Sequence, residues 1–514
     1  MRFELEGTLE GTAKLDTNPL LVKRLGELID QANREVLRRG VPKGSEGATV
    51  SEYAVSGEVI RVRVQGTRFV YAHDALKRLK NFLSEDLAKQ AKIGLRRLLI
   101  EKYVMEVPAT QNRLEMLRVY PYVERIELLN GEARITLKNV DEGALDRGDL
   151  SRLMKFVAPE ARTIQDELAS KVGIVVRTSK ARATGPAIDP TEVALRLGWV
   201  ERYPGRGQWF YMPQYAALQT CLKDIVLEKV TRKQGFVEII LPKILPLDIA
   251  FTAKKIQGEP GGMFYVCPPR VREKQEYVPL QVLSEITREL PMKELKGLLE
   301  DPGYVLDPAQ CTPFYQLLRN KTLRKDDLPT KVYDCSGPTY RYEAGGVRGL
   351  ERLSEFWRIE HVWLGTPEQV EAIRRELMET AIAAFERALK LEWRVQYAGD
   401  TFYLAEDQKI DEGVDVPEAP KYEWQFYLPF KGLRESDAKD VWLACGSFNS
   451  HGNHYTKNFG IRCTTGETLW TGCFGVGVTR LAAAFLAQKG FDMEAWPELV
   501  KRRIGRLPSM PKPV

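Results

Sequence analysis

Polar and apolar residues alternate along RFELEGTLEGTAKL (2–15), a period of two that predicts a half-buried β-strand. From Leu20 to Arg39 the apolar positions return every three or four residues, which predicts a helix. Alternation resumes over Ser56–Tyr71 (SGEVIRVRVQGTRFVY) and again near Tyr120–Leu137, predicting further strands. Between these, His73–Tyr103 follows a helical pattern rich in lysine and arginine. Residues 1–175 therefore read as an α+β domain without a cluster of catalytic residue types.

The stretch Val176–Thr191 (VRTSKARATGPAIDPT) mixes Ser, Thr, Gly, Pro and Arg as a linker does, and Asp189-Pro190 marks a helix start. Residues 176–210 are taken as linker and entry to a second domain, 211–514. There a helix is predicted over Pro213–Gln234, then a strand, Gly235–Pro242 (GFVEIILP), then a proline- and lysine-rich insertion over about 253–329.

Composition narrows the class. A chain of 514 residues that is 44% hydrophobic and 28% charged folds into two or three globular domains, neither fibrous nor disordered. No uncharged apolar run approaches the roughly 18 residues of a membrane span, and the amino terminus lacks the basic and apolar regions of a signal peptide, so a cytoplasmic address is expected. Seven cysteines, Cys221, Cys267, Cys311, Cys335, Cys445, Cys463 and Cys473, lie singly, which argues for core thiols or metal ligands rather than disulfides. The net charge of +6 is modest but uneven. The basic segment Ala75–Lys102 suits a polyanion, although a solvated helix surface would look the same.

The chemistry concentrates between Tyr340 and Glu360 (YRYEAGGVRGLERLSEFWRIE). Two strands joined by a glycine-rich bend would bring Arg341 and Arg352 together, and a guanidinium forks onto two phosphate oxygens without losing its charge. Arg341 is placed for an α-phosphate, where charge develops during attack, and Arg352 for the outer phosphates. Glu343 shares the face of Arg341 and can accept from an adenine amino group, while Phe356 can stack on the purine. Gly472–Arg480 (GCFGVGVTR) adds another arginine at a strand-to-helix junction.

This series resembles motif 2 of the class II aminoacyl-tRNA synthetases. Pro213–Pro242, a long helix and a strand ending in proline, resembles their motif 1, which implies a homodimer interface. Gly472–Ala487, with GVGVTR leading into LAAAFLA, resembles motif 3. The resemblance implies a catalytic domain built on an antiparallel sheet with flanking helices, plus a separate α+β tRNA-binding domain. It implies ATP contacts from Arg341, Tyr342, Glu343, Arg352, Leu353, Phe356 and Arg480.

Within that class the catalytic part is similar to the archaeal, methanogen-type seryl-tRNA synthetases, which hold zinc with Cys, Glu and Cys. Those residues fall at Cys311 (PAQCTPFY), Glu360 and Cys473 (WTGCFGVG). Two thiolates and a carboxylate leave the fourth position open, as a substrate-binding zinc requires. Cys463 is the rival third ligand. The resemblance further implies a serine pocket walled by Ala309, Arg341, Arg358, Ile359, Glu360, Ser447 and Asn449. The common seryl enzymes carry a magnesium-binding glutamate three residues before that serine, whereas Ala444 stands here, so the triphosphate is expected to hold magnesium largely through water.

Histidines are not assigned as ligands or bases. Serine's carboxylate is ionised at neutral pH, and His361 should face away from Glu360 in a strand. The expected reaction is ATP-dependent activation of serine and its transfer to serine tRNA, whose long variable arm the amino-terminal domain would grip. Lys77, Arg78, Lys80, Arg96 and Arg97 are the expected phosphate contacts. A threonyl-type or carrier-protein ligase keeps the same ATP chemistry, and a catalytically silent tRNA-binding relative would keep only the fold.

Overall fold

In the computed structural model, residues 2–42, 45–108, 111–129, 132–157, 171–182, 184, 187–343, 346–398, 419–436 and 440–509 are described. The chain forms two compact units, Met1–Arg162 and Thr163–Val514.

The first unit is a six-stranded antiparallel sheet. Its strands are β1 (Arg2–Gly11), β2 (Thr49–Ser56), β3 (Val59–Gly66), β4 (Leu95–Pro108), β5 (Val123–Leu129) and β6 (Glu132–Asp141), in the order β2-β3-β1-β4-β6-β5. Helix α1 (Pro19–Gln31) is capped by Asn18, whose side chain accepts from Leu20 N–H, and runs on as a π-helical turn to Val36. Helix α2 (Ala72–Ala91) lays Leu76, Leu79, Leu83 and Leu87 into a core with Phe3, Leu5 and Leu9.

The basic segment does not continue as one helix to Lys102. Lys92 takes a left-handed φ of 57° and closes α2, after which Leu95–Pro108 runs as strand β4 between β1 and β6. Leu98, Ile100, Tyr103, Met105 and Val107 are buried there, so tertiary packing and the alternation of LRRLLIEKYVMEV override the helical reading.

The second unit is a nine-stranded sheet. In chain order its elements are β7 (Val175–Thr178), α3 (Pro213–Val226), β8 (Val237–Glu238), β9 (Thr330–Asp334), β10 (Pro338–Tyr340), β11 (Glu355–Gly365), α4 (Pro367–Ala388), β12 (Trp393–Tyr397), β13 (Lys421–Tyr427), β14 (Trp442–Ser450), β15 (Trp470–Gly477) and α5 (Val478–Lys489). The order is β8-β9-β11-β15-β14-β13-β12-β7, with β10 paired to β11. All pairs are antiparallel except β8 with β9. Strand β7 spans the start, at Val176, of the segment read from composition as linker. The strand expected over Gly235–Pro242 pairs only at Val237 and Glu238, where it forms the sheet edge.

Helices α3, α4 and α5 cover one face of this sheet, burying Leu218, Leu222, Leu377, Phe385, Leu481 and Phe485 against Phe448, Phe474 and Val476. Thr366 caps α4 by accepting from Gln369 N–H, while Gln369 returns a bond to the Thr366 N–H, so both strand exit and helix entry are fixed. Among the described residues no helix is long and apolar enough to cross a membrane.

Candidate active site

The face of the sheet opposite these helices is organised by register. Glu360 on β11 opposes Gly475 on β15, Gly475 opposes Ser447 on β14, and Ser447 opposes Glu423 on β13. In the neighbouring row Val362, Cys473, Asn449 and Lys421 stand side by side. Cross-strand partners share a face, so these rows form one floor. On the reverse face His361, Phe474 and Phe448 stack, the last two rings 4.1 Å apart. His361 is fully buried, bonded to Thr231 (2.8 Å) and the Phe474 carbonyl (2.9 Å), and burial holds its ring down to about 4. A neutral structural histidine results.

Above the floor is a cavity of about 480 Å³ lined by Arg341, Glu343, Arg352, Phe356, Arg358 and Arg480 together with Ala309, Glu423 and Ser447. Arg341 follows β10, where its N–H donates to Ser354 O (2.9 Å). Its side chain donates to Glu259 (3.1 Å) and lies 3.6 Å from Glu343. Arg352 donates to Glu343 (2.6 Å), and Arg480 stands 3.9 Å from the same carboxylate. Arg480 also packs 5.4 Å from the centre of the Phe356 ring, and burial lowers its pKa. Three guanidiniums can neutralise much of a folded triphosphate's charge, and the aromatic face beside them can stack on a purine.

Behind Ala309, Arg358 and Gly475, which line this cavity, Cys311, Glu360 and Cys473 come together. One donor atom from each lies within 4.8 Å of the others, and all three residues are buried. Burial pushes the Glu360 carboxyl up, with Arg358 pulling the other way; burial also raises the Cys473 thiol, reinforced by Cys311 and Glu360. Arg358 Nε is 2.7 Å from Glu360 Oε2, yet neither carboxylate oxygen has an aligned hydrogen-bond donor. A buried acid offset by one guanidinium and standing beside two thiols is a donor set that suits a zinc ion. Gly475 makes room for the Arg358 and Glu360 side chains: a Cβ there would sit 2.6 Å from Arg358 Nε and 2.7 Å from Glu360 Oε2.

Cys463 does not join this group; its sulfur meets the Thr465 hydroxyl at 3.1 Å. Asn449 lies under the cluster, its amide 3.3 Å from Cys473 Sγ and 3.1 Å from the Ser447 hydroxyl. His451 Nε2 is 3.5 Å from Cys473 Sγ and His454 turns to the Ala253 carbonyl.

Three expected contacts have side chains directed elsewhere. Ile359 is in the helix-covered core because the pleat turns it away from Arg358 and Glu360, Leu353 is fully buried, and Tyr342 packs edge-on to Phe264. Sequence reading missed Lys255, Glu259, Lys421, Glu423, Arg348 and Asp440, which also line the cavity. The alternation of Lys421 and Glu423 with buried aromatics in KYEWQF was the available signal for two of them; Lys255 and Glu259 come from the insertion and leave none.

In the first unit, Lys77 is paired to Asp146 (2.6 Å), Lys80 to Glu142, and Arg78 to the Arg39 carbonyl (2.8 Å). Arg96 and Arg97 lie on β4 rather than on a helix, and both are exposed. No ion pair holds either among the described residues.

Residues 1–159 match a tRNA-binding domain model, and residues 298–489 match the tRNA synthetase class II core domain (G, H, P, S and T). The chain is 41% identical to the type-2 serine-tRNA ligase of Methanopyrus kandleri over 100% of its own length and 99% of that protein. To the Methanocaldococcus jannaschii counterpart it is 38% identical, over 98% of each. It superposes with a TM-score of 0.83 and 39% identity on the M. kandleri SerRS crystallised with A. aeolicus tRNASec, covering 100% of this chain and 99% of that one.

Proposed function

The chain belongs to the type-2 serine-tRNA ligases, and from that membership we propose that it selects serine at a zinc ion held by Cys311, Glu360 and Cys473 and activates it in the adjoining arginine-lined cavity. The enzyme joins serine to tRNA with ATP, which enters with magnesium. The observation that carries the zinc reading is the meeting of three buried donor side chains, Cys311, Glu360 and Cys473, within 4.8 Å of one another.

When bound, zinc supplies an open Lewis-acidic position for the amino group of serine. Arg358 and Ala309 wall the space beside it, and Ser447 and Asn449 offer a hydroxyl and an amide along the floor. Arg341 reaches the serine carboxylate and the α-phosphate. The carboxylate oxygen attacks the α-phosphorus and pyrophosphate leaves. Arg341, Arg352 and Arg480 stabilise the charge that builds on the phosphoryl oxygens, and Phe356 holds the purine. The terminal hydroxyl of tRNA then attacks the seryl carbonyl and AMP departs.

Threonine differs by one methyl, worth only about 1–3 kcal/mol in a closed pocket, so selectivity rests on the rigidity of this cluster. We assign the first unit to the long variable arm of serine tRNA, through phosphate contacts rather than base edges. Exposed Val237 and Ile240 beside the β8 edge suit a second copy of the chain, and the working form is a cytoplasmic homodimer. Serine-dependent pyrophosphate exchange by the purified protein, with metal content measured on the same preparation, tests the reading. Strong exchange with serine, faint exchange with threonine and about one zinc per chain are expected; equal exchange with both amino acids, or a metal-free active enzyme, overturns it.

A further inference from the structure

Near the cavity, two charges without an assigned role are locked to each other. Lys255 opens a short helix, Lys255–Gly258, directly after Lys254, whose φ of 62° turns the chain inward. Its side chain is 3% exposed, and Nζ lies 2.6 Å from Oδ1 of Asp307, which is fully buried. The same oxygen accepts from the Ala309 N–H at 3.1 Å, while Asp307 Oδ2 has no hydrogen-bond partner. The Asp307 N–H is itself tied to the Lys243 carbonyl (2.9 Å).

Asp307 anchors an arch that ends at Cys311. Along it, Pro308 O accepts from Arg358 Nη1 (3.2 Å), and Ala309 O accepts from the Cys311 N–H (2.8 Å). Gln310 takes a left-handed φ of 58° and fastens its amide to the Gly337 and Pro338 carbonyls (3.1 and 2.9 Å). Lys255, Pro308 and Ala309 all face the cavity. A buried ion pair is poor evidence for stability, because well-packed apolar residues of similar volume often serve as well; what a fixed pair of this geometry can supply is position.

We infer that Lys255 and Asp307 are a positioning pair for the amino-acid pocket, setting where Ala309 and Cys311 stand relative to Glu360 and Cys473 and hence the affinity for serine. The inference rests on the reading of those side chains as zinc ligands and pocket wall. The pair acts through the arch and makes no direct contact with Arg341, Arg352 or Arg480.

The test uses full-length Asp307→Asn, Lys255→Met and the double variant Lys255→Met/Asp307→Leu, with Cys311→Ala as the control for the zinc reading. Pyrophosphate exchange gives KM for serine and for ATP separately, a chelator challenge gives zinc retention, and thermal melting reports folding. Each single variant should raise the serine KM about 10–100-fold while the ATP KM stays within about twofold, and should release zinc faster. The double variant, with no buried charge left unpaired, should melt like the parent and still show the raised serine KM. If it melts normally with an unchanged serine KM, the pair is structural only and the inference falls; this arm decides even where a single variant does not fold. Zinc loss in Cys311→Ala alongside an unaffected double variant would fail this inference alone. Zinc retained in Cys311→Ala would fail the zinc reading, and the serine KM of the double variant would still decide whether the pair positions Ala309.

Discussion

Arg352 donates to the carboxylate of Glu343 across 2.6 Å, so a guanidinium expected on the outer phosphates is paired with an acid of the same strand-loop-strand segment. Arg341 and Arg480 approach the same carboxylate at 3.6 and 3.9 Å. Glu343 keeps the three cations gathered despite their mutual repulsion, and nucleotide must exchange for some of that attraction. Arg480, the more buried, should matter most to the chemical step. Arg480→Ala is expected to lower serine-dependent pyrophosphate exchange about 10²–10³-fold, whereas the half-exposed Arg352→Ala should act mainly on the ATP KM. Steady-state exchange kinetics with ATP varied separate the two outcomes.

Gly475 gives a steric test. A methyl group there would stand 2.6 Å from Arg358 Nε and 2.7 Å from Glu360 Oε2, so one or both side chains must shift. Gly475→Ala should therefore raise the serine KM by about tenfold or more with a smaller effect on ATP. Equal effects on the two KM values would contradict this.

The two rival cysteines should separate cleanly. Cys311→Ala is expected to lose both zinc and serine activation, since three ligands fall to two. Cys463→Ala removes only a thiol that meets Thr465, so metal content and exchange should persist. Elemental analysis of both proteins after dialysis checks the pair.

His454 ties stability to pH. Burial lowers its pKa from 6.5 to about 4, although its bond to the Ala253 carbonyl works the other way. Above 6.5 both folded and unfolded forms are neutral and the full stability is present. As pH falls from 6.5 towards 4 the unfolded chain takes up a proton that the folded chain refuses, so stability declines, by up to about 3 kcal/mol. Denaturant titrations at pH 7 and pH 4.5 should show a steeper loss in the parent than in His454→Gln.

The basic residues of the first unit should divide by their partners. Lys77 and Lys80 already hold Asp146 and Glu142, so replacing Lys77 should change tRNA affinity little. Arg96→Ala/Arg97→Ala should weaken binding and flatten its dependence on log salt by about one unit for each lost phosphate contact. Filter binding of serine tRNA across a salt series measures both.

Much of the site was legible because strand periodicity is strict. The spacing of Arg358, Glu360 and His361 correctly assigns two to the open face and one to the core, and the glycines of GCFGVG leave Cys473 and Gly475 facing the same way as Glu360. The same rule turns Ile359 away from the pocket. What the sequence did not disclose are contacts made by loops from distant segments, such as Glu259 to Arg341, or Lys255 to Asp307 across 52 positions. In the first unit, the helical reading of residues 93–102 lost to burial between two strands, a tertiary effect that local pattern does not carry.

The register that aligns Glu360, Gly475, Ser447 and Glu423 puts strand length itself under constraint. One residue inserted into β11 between Phe356 and Glu360 would turn the pleat over for every position beyond it, sending His361 into the pocket and Glu360 against the Phe474 ring. Side chains along the strand can be exchanged one at a time, but its count of residues cannot change in single steps. Across the lineage of this enzyme, gaps should be absent from β11 even where its letters drift.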